Sequence, residues 1–169
     1  MLWRNLLVAM CLLAINLAWP AFAPAQQLAA DPVLSIVTLD EDENVIATRT
    51  LSMADLRALP AAEFATTTIW TEGMHTFRGV WLGDLMAHLG ITQERVEFSA
   101  LNEYVVEIPM QDMVPGGPLL AYEQNGKQMS AREKGPLWVV FPYDSAQKYQ
   151  TESVYAQSIW QMDRINVYR

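Results

Sequence analysis

From residue 33 onward the chain alternates short apolar runs with polar turns, and one stretch carries a clear helical period. Val33 to Leu39 is β-branched and apolar and predicts a strand. The turn Asp40-Glu41-Asp42-Glu43 follows, with Val45 to Arg49 as the return strand. Thr50 or Ser52 is placed to cap a short helix through Met53–Leu56 that Pro60 stops. Phe64 to Trp70 holds three adjacent threonines, which favour an extended chain with hydroxyls on alternate faces. Thr71 to Phe77 reads as a polar, irregular stretch bent at Gly73, and Arg78–Trp81 leads into a helix. Leu82, Leu85, Met86 and Leu89 recur at helical spacing on one face, and Gly90 is suited to end that helix.

Val96–Ala100 alternates as a half-buried strand, and Tyr104–Ile108 does so more loosely before Pro109. Pro115-Gly116-Gly117-Pro118 marks a turn. Leu119–Tyr122 predicts a strand, Asn125-Gly126 a tight hairpin turn and Lys127–Met129 the return. Ser130–Pro136 reads as a loop. Leu137–Phe141 is a continuous apolar run, which predicts a central strand buried on both faces. Asp144–Tyr155 reads as loop or weak helix, and Arg164–Tyr168 as a last strand. The sum is one α+β domain of mixed short strands and short helices, with seven or eight strands and two to four helices.

The chain begins differently. Arg4 gives a positive head, Leu6 to Leu17 is almost wholly apolar, and Ala23-Pro24-Ala25 offers small residues at a cleavage site. This is the layout of a secretory signal over residues 1–25, and it implies export to a bacterial periplasm. Cleavage after Ala25 is expected, with a cut near Ala30 as the rival. An uncleaved membrane anchor is the alternative, although the apolar run is short of the roughly 20 residues a spanning helix needs. The domain then covers residues 26–169, with a flexible leader to about residue 32.

Export changes the chemistry available. Cys11 is the only cysteine and lies within the signal, so the mature chain has neither a disulfide nor a thiolate for a metal. The net charge of −8 becomes −9 once Arg4 is removed, and Lys127, Lys134 and Lys148 are scattered. Such a chain repels nucleic-acid phosphates, so no nucleic-acid partner is expected. The acidic run at 40–43 lacks the glycine and the distal glutamate of a calcium loop and reads as a solvated turn. His75 and His88 are the only histidines, which excludes a histidine-rich metal centre, and no metal site is expected.

Four clusters carry what chemistry there is. Trp70 to Arg78 offers Glu72, His75 and Arg78 among aromatics; it is either an ion-paired loop over the core or a site in which Arg78 grips an anion. Asn102-Glu103-Tyr104 is either turn chemistry or a hydrogen-bonding edge. Arg132 and Lys134 place two positive groups in one turn. Pro142-Tyr143-Asp144 follows the apolar strand, where binding rims often lie. Trp70, Trp81 and Trp138 lie in or near these segments and line a pocket or fill the core. No self-contained catalytic motif is present, so no catalytic residue is assigned.

Several pieces, in order, resemble the molybdopterin-binding domain of the sulfite oxidase group. They are Thr66-Thr67-Thr68, Phe77 to Leu85, Asn102-Glu103-Tyr104, Ile108-Pro109, Leu119 to Met129 and Lys134 to Pro142. The resemblance implies that fold over most of residues 60–168. It also implies an oxidoreductase that holds molybdenum through a pterin dithiolene and one cysteine just after the threonine-rich strand. That neighbourhood here reads Thr68-Ile69-Trp70. Where the family carries a basic residue before a late tryptophan, near the pterin phosphate, this chain reads Gln157 to Trp160.

These departures lead to a non-redox periplasmic binding or sensory-accessory module without a cofactor. Its expected ligand is a small polar or anionic molecule, or a periplasmic or membrane protein partner. Candidate ligand-binding residues are Trp70, His75, Arg78, Asn102, Tyr104, Arg132, Lys134 and Tyr143. Trp70 and Tyr143 would cap the ligand, Arg78 and Lys134 would supply charge, and Asn102 and Tyr104 would orient it. The alternatives are a molybdopterin/molybdenum-cofactor oxidoreductase with non-cysteine ligation, and a purely structural interaction protein.

Overall fold

The structure, a computed structural model, describes residues 31–169. The expected secretory signal and nearly all of the expected leader lie outside the described residues. Two five-stranded sheets share one apolar core. In the first, the order is β2 (Val45–Ser52), β1 (Pro32–Leu39), β10 (Met162–Tyr168), β5 (Val96–Ala100) and β6 (Val105–Glu107). Leu34 and Ile36 of β1 turn inward by strand alternation, as do Ile165 and Val167 of β10. The last strand of the chain thus lies at the middle of this sheet, parallel to β1 and antiparallel to β5.

The second sheet runs β3 (Ala62–Thr68), β4 (Thr71–Trp81), β7 (Leu119–Gln124) and β8 (Lys127–Gln128), with β9 (Trp138–Val140) also paired to β7. Gly79 lets β4 run against β7, because a side chain there would collide with the Leu120 carbonyl. Asn125 and Gly126 both take positive φ and close the β7–β8 hairpin.

Helix α1 (Met53–Ala58) starts at Ser52, whose hydroxyl accepts from Asp55 N–H while the Asp55 carboxylate accepts from Ser52 N–H. Helix α2 (Leu82–Leu89) buries Leu82, Leu85 and Met86 and ends at left-handed Gly90. A third helix, α3 (Glu152–Gln157), is capped by the Thr151 hydroxyl. Among the described residues no helix is long and apolar enough to cross a membrane.

Three expectations change. Thr71–Phe77 is ordered strand, not an irregular stretch: this half of β4 pairs with β3 but lies mostly outside the core, so hydrogen bonding sets its form and leaves its composition polar. Among the described residues strands number ten rather than seven or eight, because short ladders pair without an apolar alternation to announce them. The buried run at 138–140 is not central by pairing. It holds β7 on one side, while its other side is covered by the chain at 158–160 through the Val139 N–H to Ile159 carbonyl bond and the Trp138–Trp160 bridge.

Candidate functional site

The turn between β3 and β4 is two residues long, Ile69 and Trp70. Thr68 fixes it: its hydroxyl accepts from Trp70 N–H at 3.1 Å and lies 2.7 Å from the Thr71 hydroxyl. Ile69 is left 62% exposed, while Trp70 turns inward. Its ring meets four others near edge-on, with centroids 5.5 Å away at Trp160, 6.0 Å at Trp138 and Tyr155, and 6.2 Å at Tyr143. Each such pair adds about 0.5–1.5 kcal/mol beyond the area buried.

Behind Trp70 the polar groups are consumed internally. Tyr143 donates to the Ser158 hydroxyl at 2.6 Å, which donates onward to the Val154 carbonyl at 2.7 Å. Burial pushes the Tyr143 phenol up to about 12, so it stays protonated at neutral pH. The Trp138 indole donates to the Ser158 carbonyl at 3.3 Å. Beside this cluster, Asp144 ties the 143–145 turn to β3. Its carboxylate accepts from Thr67 N–H at 2.6 Å, the Thr67 hydroxyl at 2.8 Å and the Thr66 hydroxyl at 3.2 Å. The Thr67 bonds hold the carboxyl below the ordinary aspartate range.

In front of Trp70 lies a half-open cavity of about 400 Å³. Its wall is Ile69, Trp70, Ala100, Asn102, Tyr104, Tyr155, Ala156, Ser158, Ile159 and Trp160. None of these is Asp, Glu, Lys, Arg or His. Asn102 and Tyr104 form one edge: the Asn102 side-chain oxygen accepts from Tyr104 N–H at 3.2 Å, and Tyr104 donates to the Ala156 carbonyl at 3.1 Å.

The eight candidate residues therefore separate. Trp70, Asn102 and Tyr104 wall this cavity. Tyr143 is buried at 2% exposure and supports Trp70 from behind, although it also borders a smaller cavity of about 260 Å³ with Thr67 and Asp144. The Lys134 ammonium lies 4.9 Å from the Trp160 ring centre and 5.5 Å from that of Trp138, outside the cavity lining. Arg132 is exposed on its turn. Arg78 is exposed on β4, 4.0 Å from Glu63, and borders a separate hollow with Arg57, Tyr122 and Glu123. His75 is clamped locally: Nε2 faces the Glu72 carbonyl at 2.9 Å and Nδ1 faces the Asn125 amide at 2.8 Å. Tyr155 and Ile159 belong to the site but carried no motif. Only the density of aromatic residues between Trp138 and Trp160 hinted at them.

The residues present do not fit a molybdenum pterin. Residues 31–169 contain no cysteine, and among them no group of three or more His, Asp or Glu could hold a metal ion. The place after the threonine-rich strand belongs to Ile69 and to an indole packed on all four neighbours. No cation lines the cavity to meet a phosphate, and Gln157 spends its amide N–H on the Glu107 carbonyl at 3.1 Å.

No curated protein matches the chain. Among solved structures, the sulfane dehydrogenase SoxCD from Paracoccus pantotrophus superposes with a TM-score of 0.56 at 18% identity. The match covers 80% of this chain and 37% of that one, so this chain spans well under half the length of its structural neighbour. At that identity the likeness is one of fold. Residues 37–150 match the family described as the oxidoreductase molybdopterin binding domain, and by that match the chain belongs to this family.

Proposed function

We propose that this chain is a non-redox binding module, exported to the periplasm, that uses the molybdopterin-domain fold to present the cavity beside Trp70. The observation that carries this reading is the indole itself. It stands where the family resemblance places a cysteine ligand, and four aromatic rings anchor it there. A volume of about 400 Å³ suits a small molecule. The neutral wall favours an uncharged ligand over the anion expected from the scattered basic residues, since an anion desolvated without a cation is strongly disfavoured.

A protein partner is the second reading. Ile69 and Tyr104, large apolar residues of the cavity wall, are 62% and 47% exposed. Such a collar favours burial against another surface.

The test is native mass spectrometry with elemental analysis on mature protein exported by a host that makes the molybdenum cofactor. A polypeptide mass without molybdenum is the expected result. A mass excess matching a pterin, with stoichiometric molybdenum, overturns the reading and restores the oxidoreductase alternative. Dimeric or partner-bound species that bury the collar would shift the weight to the second reading.

A further inference from the structure

Resting on the binding-module reading, we propose that the cavity beside Trp70 selects a neutral, flat aromatic molecule bearing a hydrogen-bond acceptor such as a ketone. Flatness and aromaticity follow from the wall: Trp70, Trp160, Tyr104 and Tyr155 offer ring faces and edges around a space of about 400 Å³. Neutrality follows from charge. The wall holds no Asp, Glu, Lys, Arg or His, the net charge of −8 opposes an anion, and an ammonium already set against the wall's Trp160 ring opposes a cation. The nearby Lys134 ammonium is engaged over the Trp138 and Trp160 rings and stands outside the lining.

The acceptor requirement comes from the donors left over. Trp138 spends its indole N–H on Ser158, and Tyr104 and Tyr143 spend their hydroxyls on Ala156 and Ser158. The indole N–H groups of Trp70 and Trp160, both on cavity-wall residues, make no hydrogen bond within the described residues and are not among their buried unpartnered groups, so water reaches them. An indole can only donate, so a ligand that displaces this water is favoured when it supplies the accepting oxygen or nitrogen.

The probe is acedan, a neutral acetyl-substituted dimethylaminonaphthalene whose emission shifts to the blue in an apolar site. Its anionic counterpart is anilinonaphthalene sulfonate. Both are titrated into the mature chain and into two variants. Ala156→Trp plugs the cavity from an exposed helix position, and Ile69→Lys sets a cation at its mouth on an exposed turn. Saturable acedan binding is expected, at least about tenfold tighter than the sulfonate and at least about tenfold weakened by Ala156→Trp. Ile69→Lys sets a cation in the wall itself, so it should raise sulfonate affinity several-fold relative to acedan. Sulfonate binding as tight as acedan, acedan affinity unchanged in a folded Ala156→Trp chain, or no acedan binding by a metal-free chain overturns the proposal. Each leaves the non-redox reading standing, whereas molybdenum or pterin bound to the purified chain removes that reading itself.

Discussion

At the turn of the β3–β4 hairpin, Ile69 and Trp70 carry no charge, yet Trp70 touches four aromatic rings and walls a cavity of about 400 Å³. A few residues further along β4, His75 and Arg78 carry ionisable groups and wall none of it. His75 is occupied by Glu72 and Asn125, and Arg78 faces Glu63 across the strand pair. The difference lies in what each stretch packs against. The turn projects over β9, α3 and the chain before β10, whereas the middle of β4 presents its polar side chains to water. Reactive residue types thus mark the part of the hairpin that is satisfied by itself. The unreactive ones mark the part that is open to a ligand.

Trp70→Ala should break this contrast most severely. It removes an indole that anchors four rings, and loss of such a side chain costs about 3–5 kcal/mol in a full core. Because Trp70 is only half-buried, the lower end of that range is expected. Urea denaturation with an unchanged slope and a lowered midpoint would show it, together with loss of the acedan signal. A midpoint within error of the parent chain would mean that the aromatic cluster does not anchor the turn.

Tyr143→Phe tests the support behind the indole. The ring stays and the hydroxyl bond to Ser158 goes, which costs about 1 kcal/mol. Acedan affinity should change by less than about twofold, because Tyr143 is behind Trp70 and outside the cavity lining. A large loss of affinity with stability intact would place Tyr143 at the ligand after all.

Asp144 gives a pH dependence. Its folded carboxyl is held below the ordinary aspartate value of 3.8 by the Thr67 and Thr66 bonds, so the folded state binds its proton less readily than the unfolded chain. The resulting stabilisation is complete above the unfolded value and is lost as pH falls through the lowered folded value. Asp144 is exposed and solvent screens it, so Asp144→Asn should cost under about 1 kcal/mol at pH 7. Asp40 and Asp55 shift in the same direction, so the parent chain weakens in acid for several reasons. The difference between parent and Asp144→Asn isolates the Asp144 share, and it should shrink as pH falls below the ordinary aspartate value and through the lowered folded one. A difference constant across that range would mean that the hydrogen bonds are not made by the charged form.

Local pattern carried most of the fold. Ser52 capped its helix, Gly90 ended the next, and Asn125-Gly126 closed its hairpin, because each follows from backbone chemistry within a few residues. The hairpin turn at Ile69-Trp70 and the strand from Thr71 were not legible. Strand pairing over a polar sequence depends on a partner supplied by the rest of the fold. At the site, Trp70, Asn102 and Tyr104 were legible as candidates, but their grouping with Arg78 and Lys134 assumed that charges nearby in sequence converge in space. Tyr155 and Ile159 enter only because α3 and the chain after it fold back toward the β3–β4 turn.

The smallest effect sharpens the contrast most cleanly. Arg78→Ala removes one half of an exposed pair whose charged atoms are 4.0 Å apart, with side chains 50% and 54% exposed. Pairs of this kind contribute from nothing to about 1 kcal/mol and are screened by salt. The expected loss is under about 0.5 kcal/mol at low salt and nothing measurable at high salt, with acedan and sulfonate affinities both unchanged. A site that read anions through Arg78 predicts the reverse: little change in stability and a sulfonate affinity that falls with the arginine. Titration of the sulfonate into Arg78→Ala and the parent at two salt concentrations separates the two. Equal curves leave the basic residues of β4 as cross-strand partners, and they leave ligand choice to the uncharged wall around Trp70.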